Sequence, residues 1–426
     1  MAVVTYPASL FMHVVMLSDA ETKGGAAIAA SRLAEALHRL GHRVTRIVHL
    51  ASGQDHSWST LSMDFDSSLR RAARAMVPSQ IRKAFEIQSV RHRLNGALDI
   101  LSPDVVNVHN LHGYGATRRA GWSAGLVKVC ANHAPTVWTL HDMWSFTGRC
   151  AYSYDCRKFL TGCDAACPTP TEHPALAPKK IARAWESRRE LLWTQHRLAA
   201  VAPSRWMARE AQAGLWAGHR VEVIPYGLPL NVYRPLDRVL ARETLGIRVR
   251  GPVLLLAADD LTEKRKGMRV FLDALQFVSQ RPLTLLTMGT GSLGHAEKEI
   301  FPFHLAYVQD EHRKALAYNA ADILVHPAPV DNLPIVVMES IACGTPVVAF
   351  PIGGLPDLVR PGQTGWIADV VSAQALGNEI QQALKDLDRG VDLRPICRQV
   401  AENEFDSDLQ ARRYLRLYSS LNEIVH

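Results

Sequence analysis

Seven residues separate Asp331 from Glu339, in the run Asp331-Asn332-Leu333-Pro334-Ile335-Val336-Val337-Met338-Glu339-Ser340-Ile341-Ala342-Cys343-Gly344-Thr345-Pro346. The run follows a short apolar stretch, Ile323 to His326, that reads as a buried strand. Asn332 suits an N-cap, Pro334 the first turn and Gly344 the C′ position, so a short helix is expected here. Its N-terminus would stand at the carboxyl edge of a parallel sheet, where open α/β sheets bind ligands and helix amides favour phosphate. Glu339 has only Ile335, Val336, Ala342 and Cys343 three and four positions away. A carboxylate on such a face needs a partner, because an unpaired buried charge is costly. A vicinal diol such as that of a ribose would serve, and so would a neighbouring basic side chain.

Other groups could act beside this pair. Lys264-Arg265-Lys266-Gly267 follows an apolar run, Val253 to Ala257, and offers fixed cations to a phosphate. The alternative for these residues is a basic surface turn. His141 ends another apolar run and precedes Asp142, which suits either a site at a strand end or a structural histidine. His109 and His112 follow the run Val105 to Val108. Gly24-Gly25 before the first helix would let backbone amides approach a ligand closely. Cys150, Cys156, Cys163 and Cys167 are spaced unlike paired Cys-x-x-Cys knuckles, leaving a four-thiolate structural zinc and four reduced thiols as the alternatives. Asp64-Phe65-Asp66 is discounted as a chance metal-binding pattern. Gly289-Thr290-Gly291-Ser292-Leu293-Gly294 has the dinucleotide-binding outline. It follows the second strand of its series, however, and leads to Pro302, so a nicotinamide-dependent enzyme is disfavoured.

Strands alternating with helices must position these groups. Met12 to Leu17 and Arg43 to Leu50 flank a helix over Ala26 to Leu40, followed by strands at 105–108, 136–140 and 199–202. The pattern restarts after Pro225 with strands expected at 253–257, 283–288, 305–308, 323–326 and 346–350. Such alternation implies βαβ units and parallel sheets. Two doubly wound, Rossmann-like α/β domains facing a cleft are therefore expected: residues 1–225, then 226–405, with a helix over 406–426 packing back on the first domain. The length of 426 residues suits two domains, and 47% hydrophobic with 21% charged residues excludes a largely disordered chain.

The formal charge of +7 is uneven. Up to Pro225 there are 27 basic and 17 acidic residues, and afterwards 21 and 24. Residues 70–93 hold Arg70, Arg71, Arg74, Arg82, Lys83, Arg91 and Arg93 against Glu86, threaded by Val77, Ile81, Phe85 and Val90. This is either a solvated helical face or a docking surface for an anionic membrane or acceptor. Nucleic acid is disfavoured as a partner, since no aromatic-interleaved basic motif or zinc-finger spacing accompanies the charge. No run approaches the ~20 apolar residues of a membrane span. Met1 to Leu17 lacks a basic n-region and reads as a first strand, so a cytoplasmic protein is expected.

The acidic pair, the following Cys343-Gly344-Thr345-Pro346-Val347-Val348-Ala349, and Ile352-Gly353-Gly354-Leu355-Pro356-Asp357 together resemble the nucleotide-sugar site of family 4 retaining glycosyltransferases, which have the GT-B fold. Gly24-Gly25, Leu111-His112-Gly113, Thr139-Leu140-His141-Asp142, Pro203-Ser204 and the junction Ile224-Pro225-Tyr226-Gly227 extend the resemblance over most of the chain. Asn332-Leu333-Pro334 and His141-Asp142-Met143-Trp144 look closest to the capsule and exopolysaccharide branch, of the colanic-acid type. The resemblance implies that Glu339 holds the donor ribose and that Asp331 hydrogen-bonds the donor sugar. Asn332, Leu333, Pro334, Ile335 and Val336 would face the diphosphate, with Gly24 and Gly25 near it or the acceptor. Arg265 and Lys266 would be the basic pair and His141 would face the reacting carbon, with His109, His112 and Asp142 on the acceptor side. The family usually has Glu at position 331 and an Arg just after the first C-domain strand, where this chain has Asp259 and Asp260.

The expected function is transfer of a sugar, with retention and without a catalytic metal, from a UDP- or GDP-sugar to a glycan or lipid-linked acceptor in cell-surface polysaccharide synthesis. The protein would be cytoplasmic, peripheral at the inner face of the membrane. The alternatives are a catalytically degenerate nucleotide-sugar-binding protein and a GT-B-type sugar-nucleotide epimerase.

Overall fold

A computed structural model of the chain describes residues 11–63, 79–112, 122–291 and 299–423. The chain divides into two compact units. One runs to Ala202, resumes over Ala208–Ile224 and takes in the chain from Ala411 onward; the other holds Pro203–Met207 and Pro225–Gln410.

In the first unit the order is β1 (His13–Ala20), α1 (Gly25–Arg39), β2 (Arg43–Leu50), β3 (Ser59–Ser62), α2 (Ser79–Leu101), β4 (Val105–Val108), α3 (Gly125–His133), β5 (Thr136–Thr139), α4 (Ile181–Thr194), β6 (Leu198–Ala202), α5 (Arg205–Ala213) and β7 (Arg220–Val223). The seven strands form one parallel sheet in the order β3-β2-β1-β4-β5-β6-β7. Helix α1 forms because Ala27, Ala30, Leu33, Ala34 and Leu37 fall on one face, and all five are buried. That face packs against Val14 and Met16 of β1, Val44 of β2, Val105 of β4 and Val137 of β5. These residues alternate along their strands with others that point to the opposite face. Truncating Leu37 to Ala would cost about 2–5 kcal/mol.

The second unit contains α6 (Arg238–Leu245), β8 (Val253–Asp260), α7 (Met268–Ala274), β9 (Leu283–Thr290), β10 (Ile300–His304), α8 (Glu311–Ala320), β11 (Ile323–His326), α9 (Ile335–Ala342), β12 (Val347–Ala349), α10 (Leu355–Leu358), β13 (Gly365–Ile367), α11 (Ala373–Asp388) and α12 (Arg394–Glu404). Its six strands are again parallel, in the order β10-β9-β8-β11-β12-β13. Helix α13 (Ser407–Glu423) begins in this unit and continues into the first, where Ala411, Tyr414, Leu417 and Tyr418 join the core around α1. The buried hydroxyls of α13 are satisfied on the strands beneath. Asn107 Nδ2 donates to Tyr418 Oη at 2.7 Å, and Tyr414 Oη lies 3.0 Å from Thr139 Oγ1.

One expected strand is displaced. The strand expected at 305–308 is formed instead by Ile300–His304, with Pro302 inside it. β10 is the edge of its sheet, and Pro302 is opposite Leu285 on its one paired side, a place where a missing N–H is tolerated. Among the described residues, the element after Gly289 and Gly291 is therefore the strand β10, and the outline of a dinucleotide site is not completed by a helix.

Candidate active site

The sheet of the second unit brings the expected donor residues together at its carboxyl edge. Asp331 follows β11, and the cations follow β8 in a short 3-10 turn, Lys264–Lys266. Lys266 Nζ is 3.1 Å from Asp331 Oδ2, and Arg265 NH1 is 3.6 Å from the same oxygen. His326, the last residue of β11, sets its Nε2 3.6 Å from it, longer than an ordinary hydrogen bond. The other carboxylate oxygen accepts the Asn332 amide at 3.0 Å. Burial alone would raise the Asp331 carboxyl. The charge of Lys266, the His326 imidazole and Arg265 outweigh it and hold the group well below the usual carboxylate range. Lys266 is the nearer of the two cations, while Arg265 also pairs with the surface residue Glu263 at 2.9 Å.

Helix α9 begins at Ile335 with Pro334 at the cap position. Asn332 is therefore not the N-cap expected from sequence. Its Oδ1 accepts a hydrogen bond from Ser204 Oγ at 2.7 Å, and its carbonyl accepts the Gly354 amide at 2.7 Å. Pro334 has no N–H to be capped, so the side chain two residues earlier is released for other work. Gly353 takes a φ of +53°, and a Cβ there would lie 1.8 Å from the Asp331 carbonyl. The Gly353-Gly354 pair thus lets the loop after β12 close onto the backbone of Asp331 and Asn332. The amides of Ile335 and Val336 are in the first turn of α9, where helix geometry provides no intrahelical acceptor. Gly344 follows the C-cap Cys343 with φ +80°, as expected.

Glu339 is buried on α9, and Tyr318 of α8 donates its hydroxyl to Glu339 Oε2 at 2.8 Å. Burial first, and then the neighbouring carboxylate, push the Tyr318 phenol well above its ordinary value, so it remains a donor. The partner of Glu339 on this side is a phenol, not the basic side chain considered from sequence.

In the first unit, two residues on from the core-facing Val105 of β4 and Val137 of β5, polar groups lead to the carboxyl edge. His109 and His141 extend the rows through Asn107 and Thr139, and His109 Nδ1 lies 2.8 Å from His141 Nε2. His112 Nε2 meets Asp142 Oδ2 at 2.8 Å, and Asp142 Oδ1 accepts the Trp144 amide at 2.8 Å. Burial, with His112 and Arg46 reinforcing it against Asp142, lowers His141 to about 4. Burial, His141 and Arg46 lower His109 well below the ordinary imidazole value. Both rings are therefore neutral at physiological pH and serve as hydrogen-bonding groups. Asp142 stays ionised, because His112 and the Trp144 amide outweigh the opposing effect of burial.

Sequence reasoning missed Arg46 and Glu21, buried beside this edge, and His326 and Tyr318 in the second unit. A single arginine inside the apolar run of β2 was the available signal for Arg46, since a buried guanidinium must be paired. Gly24 and Gly25 stand at the start of α1, with Gly24 at its N-cap.

The four clustered cysteines are unbonded thiols; Cys150 is buried and the other three are half-buried. Burial, with its three fellow thiols adding to it, raises Cys150 to about 12. Among the described residues no three His, Cys, Asp or Glu side chains surround one point as metal ligands. Of the basic stretch, 70–78 lie outside the described residues, as do Asp64, Asp66, Gly113, Ser292, Leu293 and Gly294. Within α2, Ile81 and Phe85 are exposed, whereas Val90 and Leu94 are buried. No described helix is long and apolar enough to cross a membrane.

Two parallel-sheet, Rossmann-like units with a basic turn, a buried acidic pair and a helix N-terminus at one sheet edge define the GT-B class of glycosyltransferase fold. Solved structures agree in fold: sucrose-phosphate synthase from Thermosynechococcus elongatus has a TM-score of 0.72 at 18% identity, covering 96% of this chain and 99% of that one. HepE of Anabaena, solved with UDP-glucose, has a TM-score of 0.66 at 17% identity, covering 96% and 100%. The chain belongs to glycosyltransferase family 4. The Glycosyltransferase Family 4 model matches residues 23–232, and the Glycosyl transferases group 1 model matches residues 251–386. WcaC of Escherichia coli strain K12, described as a putative colanic acid biosynthesis glycosyl transferase, is 30% identical over 259 residues, 58% of this chain and 60% of that protein. D-inositol 3-phosphate glycosyltransferase of Rhodococcus opacus strain B4 is 34% identical over 170 residues, 35% of this chain and 37% of that protein. The matched stretches thus span less than two thirds of these relatives.

Proposed function

We propose that the protein transfers a glycosyl group from a UDP- or GDP-sugar, with retention, to a glycan or lipid-linked acceptor during synthesis of a cell-surface polysaccharide. The observation that carries this reading is the meeting of Lys266 and Arg265 with Asp331 at the carboxyl edge of the sheet, just ahead of α9 with its buried Glu339. In this reading Glu339 accepts hydrogen bonds from the ribose while Tyr318 steadies its carboxylate. The Ile335 and Val336 amides, Lys266 and Arg265 face the diphosphate and stabilise the charge it gains as the glycosidic bond breaks, without a catalytic metal. His141, held neutral, hydrogen-bonds a sugar hydroxyl near the reacting carbon. Same-face displacement through an oxocarbenium-like state, with a leaving phosphate oxygen taking the acceptor proton, is what family membership suggests. The net positive charge of the first 225 residues, with exposed Ile81, Phe85, Arg91 and Arg93 on α2, supports docking of residues 70–93 at an anionic membrane surface.

One observation favours a second reading, a nucleotide-sugar-binding protein without turnover. The Asp331 carboxylate is already engaged by Lys266 and approached by Arg265, instead of being held clear for a sugar. A thermal-shift screen with UDP, GDP and their sugar conjugates, followed by donor hydrolysis assays, separates the two. Transfer predicts hydrolysis by the wild type that is lost in Glu339→Ala with folding intact. Binding without hydrolysis of any donor would establish the second reading.

A further inference from the structure

Arg46 has no exposed surface, yet it carries a charge in the middle of strand β2. It is opposite Met16 and two residues beyond Val44, so its side chain rises on the face covered by α1. Its guanidinium is spent on the turn between β1 and α1. NH1 donates to the Glu21 carbonyl at 2.8 Å and to Ser31 Oγ of α1 at 2.6 Å. NH2 donates to Ser18 Oγ of β1 at 2.8 Å and to the Ala20 carbonyl at 3.4 Å. One side chain therefore ties the end of β1, the turn and the first half of α1 to β2.

The turn is held from its other side by Glu21. Its carboxylate is buried and accepts the Ser52 amide at 2.8 Å, Ser52 Oγ at 2.9 Å, Trp58 Nε1 at 3.0 Å and the hydroxyl of Thr60. The Glu21 amide donates to the Leu50 carbonyl at 2.9 Å. Three residues later Gly24 adopts φ 87° and ψ 158°, a conformation that only glycine enters readily. A turn of this kind keeps its shape only when its surroundings dictate it. Here two buried opposite charges, each hydrogen-bonded mainly to turn and strand groups, do so.

We infer that Arg46 and Glu21 form a buried brace that presets the Gly24-Gly25 turn, and that Arg46 is a positioning residue for donor or acceptor binding at that turn. The functional half of this inference rests on the proposed transferase reading; the structural half does not. Arg46 is also one of the charged groups acting on the imidazoles of the His109–His141 edge. Asp142, His112 and Arg46 act on His141, while His141 and Arg46 act on His109. The guanidinium thus shapes the turn by hydrogen bonding, while burial chiefly keeps the paired rings neutral and the charge of Arg46 adds to it.

The test compares Arg46→Lys, Arg46→Met and Trp58→Phe in the full chain, the last removing one donor to Glu21 while keeping an aromatic ring beside Arg46, whose guanidinium lies 5.7 Å from the Trp58 ring centre. Amide exchange at residues 20–25 is measured together with the NMR titration of His141 and His109. Arg46→Met is expected to accelerate exchange in the turn about tenfold or more, with β8 to β13 unchanged, and to raise the His141 midpoint only slightly from about 4, since burial is its main cause. Arg46→Lys should return the midpoint towards wild type but restore the turn only in part, since an ammonium lacks the planar fork. Trp58→Phe should loosen the turn and leave the histidines unmoved. The brace is overturned if turn exchange is unchanged in Arg46→Met and Trp58→Phe, or if it rises equally throughout the first unit. If Arg46→Met fails to fold, Trp58→Phe and Arg46→Lys decide the matter alone. In a donor assay Arg46→Lys should lower kcat more than it raises KM for the nucleotide sugar. The loosened turn with no turnover by any wild-type preparation would sustain the brace and refute the transferase reading.

Discussion

Replacing Asp331 by Asn removes one negative charge and almost nothing else. Lys266 at 3.1 Å and Arg265 at 3.6 Å would then face an amide. At 3.1 Å and an effective dielectric of about 20, Coulomb attraction to Lys266 is about 5 kcal/mol before the cost of desolvating both partners. Deleting one member of a buried pair typically costs about 3–5 kcal/mol. The isosteric amide can still accept from Lys266 and from the Asn332 amide, which puts the expected loss near the lower figure, about 3 kcal/mol at neutral pH. For a domain of this size that corresponds to a fall in Tm of roughly 6–12 °C. Because the folded carboxyl is held below its ordinary value, the pair contributes fully above the unfolded pKa, and its contribution is lost as pH falls through the folded one. The difference between wild type and Asp331→Asn should therefore be full at pH 7 and shrink only in acid. Glu263→Gln is the control: it breaks an ion pair on Arg265 whose acidic partner is 43% exposed, and should cost at most about 1 kcal/mol. Urea denaturation read by amide exchange at residues 323–350 isolates the second unit. Equal effects from the two substitutions, or a loss in Asp331→Asn that does not change between pH 7 and pH 3, would refute the reasoning.

Tyr318→Phe removes the phenol that donates to Glu339 and should destabilise the second unit by about 1–3 kcal/mol, while weakening UDP binding measured by calorimetry less than Glu339→Ala does. His141, lowered to about 4, makes the folded state bind fewer protons than the unfolded one between about pH 4 and 6.5. Stability should therefore fall as pH drops through that window, by about 3 kcal/mol from this group, and His141→Asn should flatten the dependence. A structural zinc on Cys150, Cys156, Cys163 and Cys167, which we propose alongside the catalytic reading, requires the loop to draw its thiols together. Elemental analysis should then find about one zinc per chain and chelator should lower Tm, whereas metal-free protein indifferent to chelator removes the proposal. Docking of residues 70–93 predicts salt-sensitive binding to anionic vesicles, weakened by reversing the charges of Arg70, Arg71 and Arg74; binding indifferent to both changes would sink it.

The buried parallel strands were legible because apolar, mostly β-branched residues dominate them. Arg43–Leu50, Val105–Val108 and Ile323–His326 are read to the residue from their runs of Val, Ile and Leu. The edge strands were not: Ser59–Ser62 and Arg220–Val223 are polar, Ile300–His304 contains a proline, and Gly365–Ile367 is three residues long. Their pairing is dictated by the neighbouring strand more than by their own composition. The same division holds at the candidate site. Asp331, Glu339 and the cations announce themselves by charge in apolar surroundings, and the structure draws Asp331, Lys266 and Arg265 together. That Asn332 leaves the cap to Pro334 and bonds Ser204, 128 positions away, depends on a tertiary contact no local pattern encodes. Tyr318 was equally hidden, since a tyrosine in a helix signals nothing until the carboxylate it faces is known.

Helix α13 completes the core around α1 with Tyr414, Leu417 and Tyr418, although the rest of that core is encoded before residue 225. On a ribosome adding about 5–20 residues per second, the first sheet waits on the order of ten to forty seconds, while the whole second unit is made, before its last covering element exists. During that interval the strands carrying Asn107 and Thr139 lack the hydroxyls they bond in the native state. A chaperone that binds exposed apolar surface would meet the nascent chain on that face during the interval. The chain's second unit, continuous apart from five residues, can fold first even though it is synthesised later.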